Sequence, residues 1–246
     1  MKLLFLDIET APNVVHVWGL FNQNVATNQI VDSGYTISWA AKWHKKKKLL
    51  SSAAAIDGNE NMLRSVHALL EEADVVVTYN GSRFDLPTLN KEFIKHGLTP
   101  PATYKQIDLL KTARSQFKFA SNKLDYVAQF LGLGCKVKHK GHDLWKEVMN
   151  GDMGSVKKML AYNKQDVILL EQVYEVMKPW IKNHPNMSVY NGELVCPHCG
   201  SKHYQRRGFA YTAAGKYQRF TCLNCFTWFR ANKAEKGAGE KFLPVQ

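Results

Sequence analysis

The sequence lacks any apolar run near the roughly 20 residues that a bilayer-spanning helix needs. Its longest runs, residues 3–6 and 75–77, are strand-sized. It also lacks a leader pattern: residues 1–6 lead at once into Asp7 and Glu9, with no small-residue cleavage site behind them. A cytoplasmic protein with no membrane partner is the expectation. Internal repeats are missing, apart from two similar cysteine pairs. Cysteine is sparse, five in 246 residues. Acid is short relative to base, with 21 Asp and Glu against 33 Lys and Arg, a net charge of +12. With 45% hydrophobic and 22% charged residues, the composition excludes a disordered chain, a collagen-like repeat and a coiled coil.

A basic excess of this size points to a polyanionic partner. It is uneven. Residues 188–246 carry nine Lys and Arg and three acids, while residues 1–187 carry 24 and 18, so each part holds +6. Cys135 stands alone, and Cys196, Cys199, Cys222 and Cys225 all fall in the basic tail. The order of elements follows from hydrophobic periodicity. Strands are expected at 2–8, 14–18, 35–43, 49–56 and 75–79, the first four as a meander, and helices at 59–72, 87–97, 108–116, 122–131 and 155–177. An irregular basic stretch is expected at 136–142. Residues 183–186, Asn-His-Pro-Asn, signal a linker.

Asp7 and Glu9 lie two apart on the first strand, so both face the same way. Two carboxylates on one face of an apolar strand are costly to bury without a cation between them, and a divalent metal is the simplest remedy. A strand end in water is the plainer alternative. Asp85 sits where the strand at 75–79 has turned through Gly81 toward a Pro-started helix, and taken alone a helix cap is its plainer reading. Tyr162 and Asp166 are four apart on a helix, so hydroxyl and carboxylate share a face; a core Tyr beside a solvated Asp is the alternative.

The three elements occur together and in order: Leu6-Asp7-Ile8-Glu9-Thr10, then Tyr79-Asn80-Gly81-Ser82-Arg83-Phe84-Asp85-Leu86-Pro87, then Tyr162-Asn163-Lys164-Gln165-Asp166. Over residues 1–182 this wording resembles the DEDD 3′–5′ exonucleases of the ribonuclease H-like superfamily. It is especially similar to family-B polymerase proofreading domains and their stand-alone bacterial and phage relatives. Tyr162 stands four before Asp166 and residue 161 is Ala, which matches the tyrosine subclass rather than the histidine one. The resemblance implies an α/β fold with a mixed sheet flanked by helices, in a bacterial or phage-infected cell. It implies two Mg²⁺ or Mn²⁺ ions, with Asp7 bridging both, Glu9 and Asp166 completing one site and Asp85 serving the other. Tyr162 would orient the attacking water. Thr10 and Asn80 would contact the 3′ end of the substrate. Phe84 and Leu86 read more simply as packing residues. Lys136, Lys138, His139 and Lys140 would grip the strand or form a solvated loop, and His142 would line the channel or lie on the surface.

Cys196-x-x-Cys199 and Cys222-x-x-Cys225 have the spacing of a structural zinc site. The Cys196-Pro197-His198-Cys199-Gly200 opening resembles a zinc ribbon, so one Zn²⁺ and a small β-rich domain are expected. The expected organisation is an exonuclease domain at 1–182, a linker at 183–191, a ribbon at 192–232 and a flexible tail at 233–246. Arg206, Arg207 and Arg219 interleave with aromatic residues, a pattern suited to single-stranded nucleic acid; ribbon core rings and solvated cations are the alternative. The expected function is hydrolysis of nucleic acid, DNA favoured over RNA, from the 3′ end. The rivals are a non-catalytic nucleic-acid-binding adaptor and a proofreading-type subunit acting with a separate polymerase or another replication or repair partner.

Overall fold

A computed structural model describes residues 1–135, 141–213 and 215–235. The chain divides into two compact units, Lys2–Glu175 and one made mainly of Val176–Gln246. In the first, β1 (Leu3–Thr10) is followed by the short strands β2 (Val14–Val15) and β3 (Ile30–Asp32). Next come β4 (Thr36–Trp43), β5 (Leu49–Ala53), α1 (Ala54–Asp57), α2 (Asn59–Glu72), β6 (Val75–Thr78), α3 (Asp85–Lys95) and β7 (Lys105–Asp108). Helices α4 (Leu109–Gln116), α5 (Leu124–Phe130), α6 (His142–Met149) and α7 (Met153–Met177) complete this part of the chain. The second unit contains α8 (Met187–Asn191), β8 (Tyr204–Thr212), β9 (Gly215–Cys222) and β10 (Trp228–Arg230).

The main sheet has the order β5-β4-β1-β6-β7. The β5, β4 and β1 strands are antiparallel, and β1, β6 and β7 are parallel. Its centre is β1, and that explains the nearly unbroken apolar run there: both faces are covered. The period-two alternation divides the strand. Leu4, Leu6 and Ile8 pack with Trp39 and Ala41 against Met62, Leu63 and Val66 of α2 and Leu89 and Phe93 of α3. The odd residues face α7, where the Phe5 ring meets Tyr174 edge-on at 5.3 Å. An ion pair from Lys42 to Glu171 and a hydrogen bond between His44 Nε2 and Glu175 Oε1 (2.6 Å) hold the same helix beside β4. This is the mixed α/β arrangement expected from the sequence, and the C-terminal three-stranded sheet β10-β9-β8 supplies the small β-rich part.

Several elements differ from expectation, among them the strand expected at 49–56, which ends at Ala53 and passes into α1. The strand expected at 14–18 shrinks to Val14–Val15, which among the described residues pairs only with β3 and stays out of the main sheet. Trp18 is left fully exposed. Residues 105–108 form a strand that local pattern did not reveal, because parallel pairing with β6 creates it. The stretch expected to be irregular through residue 142 gives way at His142 to α6, whose Leu144 and Val148 pack beside Val156 and Met159 of α7.

Candidate active site

The centre of the site is built by one strand and one helix. On β1, Asp7 lies opposite Ala40 and Glu9 opposite Ser38 of β4, both small residues, so neither carboxylate is crowded out. The register slips between Glu9 and Thr10, where the strand ends. From α7, Asp166 enters 2% exposed. Carboxylate oxygens of Asp7, Glu9 and Asp166 all lie within 4.8 Å of one another. At about 5 Å, with an effective dielectric constant of about 20, each pair of charges repels by about 3 kcal/mol. An arrangement of oxygen-only, negatively charged donors fits a hard divalent cation such as Mg²⁺ or Mn²⁺.

Asn163 fixes the geometry. It is fully buried, and its Nδ2 donates to Asp7 Oδ2 at 2.6 Å while its Oδ1 accepts from Ser38 Oγ at 3.3 Å. None of the sequence motifs above includes it as a site residue. The signal was there, since Asn163 and Asp166 are three apart on one helix and share a face. Tyr162, one turn before Asp166, is buried with its ring edge-on to Trp145 of α6 at 6.4 Å.

Asp85 stands outside the three-carboxylate group among the described residues. It is the first residue of α3 and buried, and its Oδ1 accepts from the Ile8 backbone N–H of β1 at 3.2 Å. Burial pushes its pKa up to about 7; hydrogen bonds from its own and the Ile8 backbone N–H oppose that rise, and the negative charge of Asp108 adds to it. The turn before it is shaped by Asp108, which caps α4. Asp108 Oδ1 accepts from the N–H groups of Asn80 (2.9 Å) and Leu110 (3.0 Å), and its Oδ2 accepts from Ser82 Oγ (2.6 Å). This holds Asn80 at a φ of 73°, a conformation that Asn tolerates better than most residues. A Cβ on Gly81 would come within 2.3 Å of Thr78 Oγ1, so glycine is required there. The sequence marked Asp108 only as a helix start.

Residues 4–178 match the family RNase_H_2, described as RNase_H superfamily. The chain belongs to the RNase H superfamily. No curated protein sequence matches it. Among solved structures, it is similar in fold to the family B DNA polymerase from the hyperthermophilic archaeon Pyrobaculum calidifontis, with a TM-score of 0.55 and 14% identity. That similarity covers 86% of this chain and 31% of the polymerase chain, so the chain spans only about a third of that protein's length.

In this RNase H-superfamily chain, a cleft of about 520 Å³ opens beside Asp7. Tyr79, Leu110, Arg114, Asn122 and Lys123 help to line it. Tyr79 donates its hydroxyl to the Asn122 carbonyl at 2.7 Å, and burial, with the Asp108 charge adding, pushes its pKa up to about 12. Arg114 and Lys123 place two cations in the wall. Nothing in the local sequence marks either one, because each is an ordinary basic residue near a helix end. Thr10 closes β1 opposite Thr36, and His142 is exposed at the start of α6. Lys136, Lys138, His139 and Lys140 lie outside the described residues. A larger groove of about 700 Å³, between α3 and the segment leading to β7, is lined by no carboxylate.

In the second unit, the four cysteine sulfurs lie within 4.8 Å of one another, with Cys196 to Cys225 and Cys199 to Cys222 each at 3.6 Å. A tetrahedron of thiolates about 2.3 Å from a zinc ion has edges of about 3.8 Å, so this group fits Zn²⁺ and leaves no open position for a reacting water. Backbone N–H groups turn toward it, as Asn224 N does toward Cys222 Sγ at 3.4 Å. Burial pushes the Cys196 thiol up to about 11 and Cys199 higher still. For Cys222, burial is outweighed by N–H groups of Cys225 and Asn224, and its pKa falls. Arg206 and Arg207 are exposed on β8, and Arg219 on β9. Among the described residues, no helix is long and apolar enough to cross a membrane.

Proposed function

We propose that the chain is a metal-dependent 3′–5′ exonuclease that hydrolyses phosphodiester bonds of nucleic acid, DNA in preference to RNA. The observation that carries this reading is the convergence of Asp7, Glu9 and Asp166 within 4.8 Å on a ribonuclease H-like sheet. These residues, with Asp85 close behind β1, would hold two Mg²⁺ or Mn²⁺ ions. When bound, such ions lower the pKa of water and offset charge that develops on the phosphate and on the leaving oxygen.

The protein's own groups do the positioning. Asn163 holds the Asp7 carboxylate in one orientation through Nδ2. Tyr162 directs its hydroxyl to the attacking water and does not ligate metal. The turn carrying Asn80, braced by Asp108, and the end of β1 at Thr10 seat the terminal nucleotide. Arg114 and Lys123 meet phosphates along the cleft; Lys136 and Lys138 are assigned to the substrate backbone from their basic sequence context alone. The polarity of attack, 3′ to 5′, rests on the likeness of the three motifs to the DEDD exonucleases. One zinc ion bound by Cys196, Cys199, Cys222 and Cys225 would hold the small domain folded, and Arg206, Arg207 and Arg219 would add affinity for substrate. The likeness in fold to a family B DNA polymerase favours a second reading for the setting of this activity, in which the enzyme works beside a separate polymerase.

The test uses oligonucleotides of DNA and RNA labelled at either end, incubated with Mg²⁺, Mn²⁺ or EDTA. A ladder of 5′-labelled products that shortens from the 3′ end with either metal and vanishes with EDTA is expected. Internal cuts, shortening from the 5′ end, or cleavage in EDTA overturns the proposal.

A further inference from the structure

The three-stranded sheet of the second unit has two faces of different character. On one, Phe220 and Phe229 are register partners with stacked rings 5.5 Å apart, and Tyr204 meets both edge-on at 5.6 Å. That cluster is the domain's own aromatic core. Alternation places Tyr217, Arg219, Trp228 and Arg230 on the other face, with Arg219 directly opposite Arg230. The Arg219 guanidinium lies 4.8 Å over the Trp228 ring and that of Arg230 lies 4.0 Å over Tyr217. Like charges set directly opposite one another destabilise a strand pair. No carboxylate relieves either one among the described residues: Arg219 Nε donates to the Arg207 carbonyl and Arg230 Nη1 to the Ala231 carbonyl. Trp228 is 55% exposed, so the fold gains little from it.

We propose that this face is a stacking platform for single-stranded nucleic acid, with the exposed Trp228 ring receiving a base on the side that Arg219 does not cover and Arg219 and Arg230 receiving the flanking phosphates. The proposal rests on the nucleic-acid reading above and adds the substrate class and the residues. The arrangement favours a single strand because bases in a duplex already cover one another, whereas unpaired bases offer a free π-face. The rings hold the guanidinium planes in place, so their N–H edges are oriented before the strand arrives.

The experiment measures binding by the full-length, zinc-loaded protein, without Mg²⁺, of fluorescent 12-nucleotide oligo-dT and oligo-U and of a 12-base-pair duplex over a salt series. Trp228→Ala should weaken binding of a single strand about 5- to 150-fold, the size of one lost base–aromatic stack, and leave duplex binding nearly unchanged. Arg219→Gln with Arg230→Gln should flatten the slope of log K against log salt by about 1.4, the contribution of about two single-strand phosphate contacts. Zinc content checks the fold of each variant. If Trp228→Ala loses zinc, the arginine pair decides. Unchanged affinity and slope on both single strands, or equal weakening on the duplex, overturns the platform. Hydrolysis of the p-nitrophenyl ester of thymidine 5′-phosphate with Mn²⁺ is followed in parallel. It reads the carboxylates alone, so loss of the nuclease reading and loss of the platform are told apart.

Discussion

Asn163 on α7 donates a 2.6 Å hydrogen bond to Asp7 on β1, a residue 156 positions away in the chain. Through this bond the helix that delivers Asp166 is locked to the strand that carries Asp7 and Glu9. Asn163→Ala leaves the Asp7 carboxylate and the Ser38 hydroxyl without this partner. It should lower stability by about 1.5–3 kcal/mol, the range for a hydrogen bond to a charged group. It should also raise the Mg²⁺ concentration needed for half-maximal cleavage. Urea melts and metal titrations check the two effects; a variant with unaltered metal dependence assigns Asn163 to folding alone.

Removing a carboxylate of the centre separates chemistry from folding. Asp7→Ala or Asp166→Ala should cut cleavage by about a thousandfold or more, on the scale of losing a metal's charge relief. Without added Mg²⁺, the same variants should melt at equal or higher temperature than the parent, because about 3 kcal/mol of repulsion per pair is relieved. Full activity in either variant removes these residues from the site.

In the proposed mechanism Tyr162 orients water and does not bind metal. Tyr162→Phe keeps the ring against Trp145 and loses only the hydroxyl. Its rate should fall about 10- to 1,000-fold, as for one positioned proton or hydrogen-bonding group, with the Mg²⁺ midpoint unchanged. A variant as inactive as Asp7→Ala contradicts that role.

Asp85 gives stability a pH dependence of known sign. Its folded pKa is raised to about 7, above the ordinary carboxylate value. The folded state therefore holds the proton more tightly than the unfolded chain, and Asp85 weakens the fold progressively as pH rises from about 4 to about 7. Without Mg²⁺, Asp85→Asn should match the parent's melting temperature near pH 4 and exceed it increasingly toward pH 7.5. Adding Mg²⁺ should shrink that gap, since a nearby cation favours the charged carboxylate. A gap that stays constant across the range, measured by thermal melts, excludes Asp85 as its source.

Zinc should be structural. Metal analysis is expected to find one zinc per chain, lost in Cys222→Ser. That variant should still hydrolyse a short oligonucleotide with Mn²⁺ and should bind long strands more weakly. Abolished hydrolysis of the short substrate would place the cysteine centre in the chemistry.

The amino-acid sequence by itself determined which way side chains point. Period two put Asp7 and Glu9 on one face of β1, the 3.6-residue turn put Tyr162, Asn163 and Asp166 along neighbouring rows of α7, and two Cys-x-x-Cys pairs announced a four-sulfur site. Those are local properties, set by a few consecutive residues. Tertiary structure alone decided what each face meets. Only the closure of α7 over β1 brings Asp166 within 4.8 Å of Asp7 and Glu9 and gives Asn163 its acceptor. Likewise, the N–H groups that hold Asp85 and Asp108 belong to other turns and strands, and β7 exists because β6 offers it a partner. The apolar residues at 14–18 read as a strand in isolation, yet β4 occupies the edge of β1 they would have used. Competition for a partner is settled by the whole fold, since a strand's hydrogen bonds are made by residues that its own sequence does not contain.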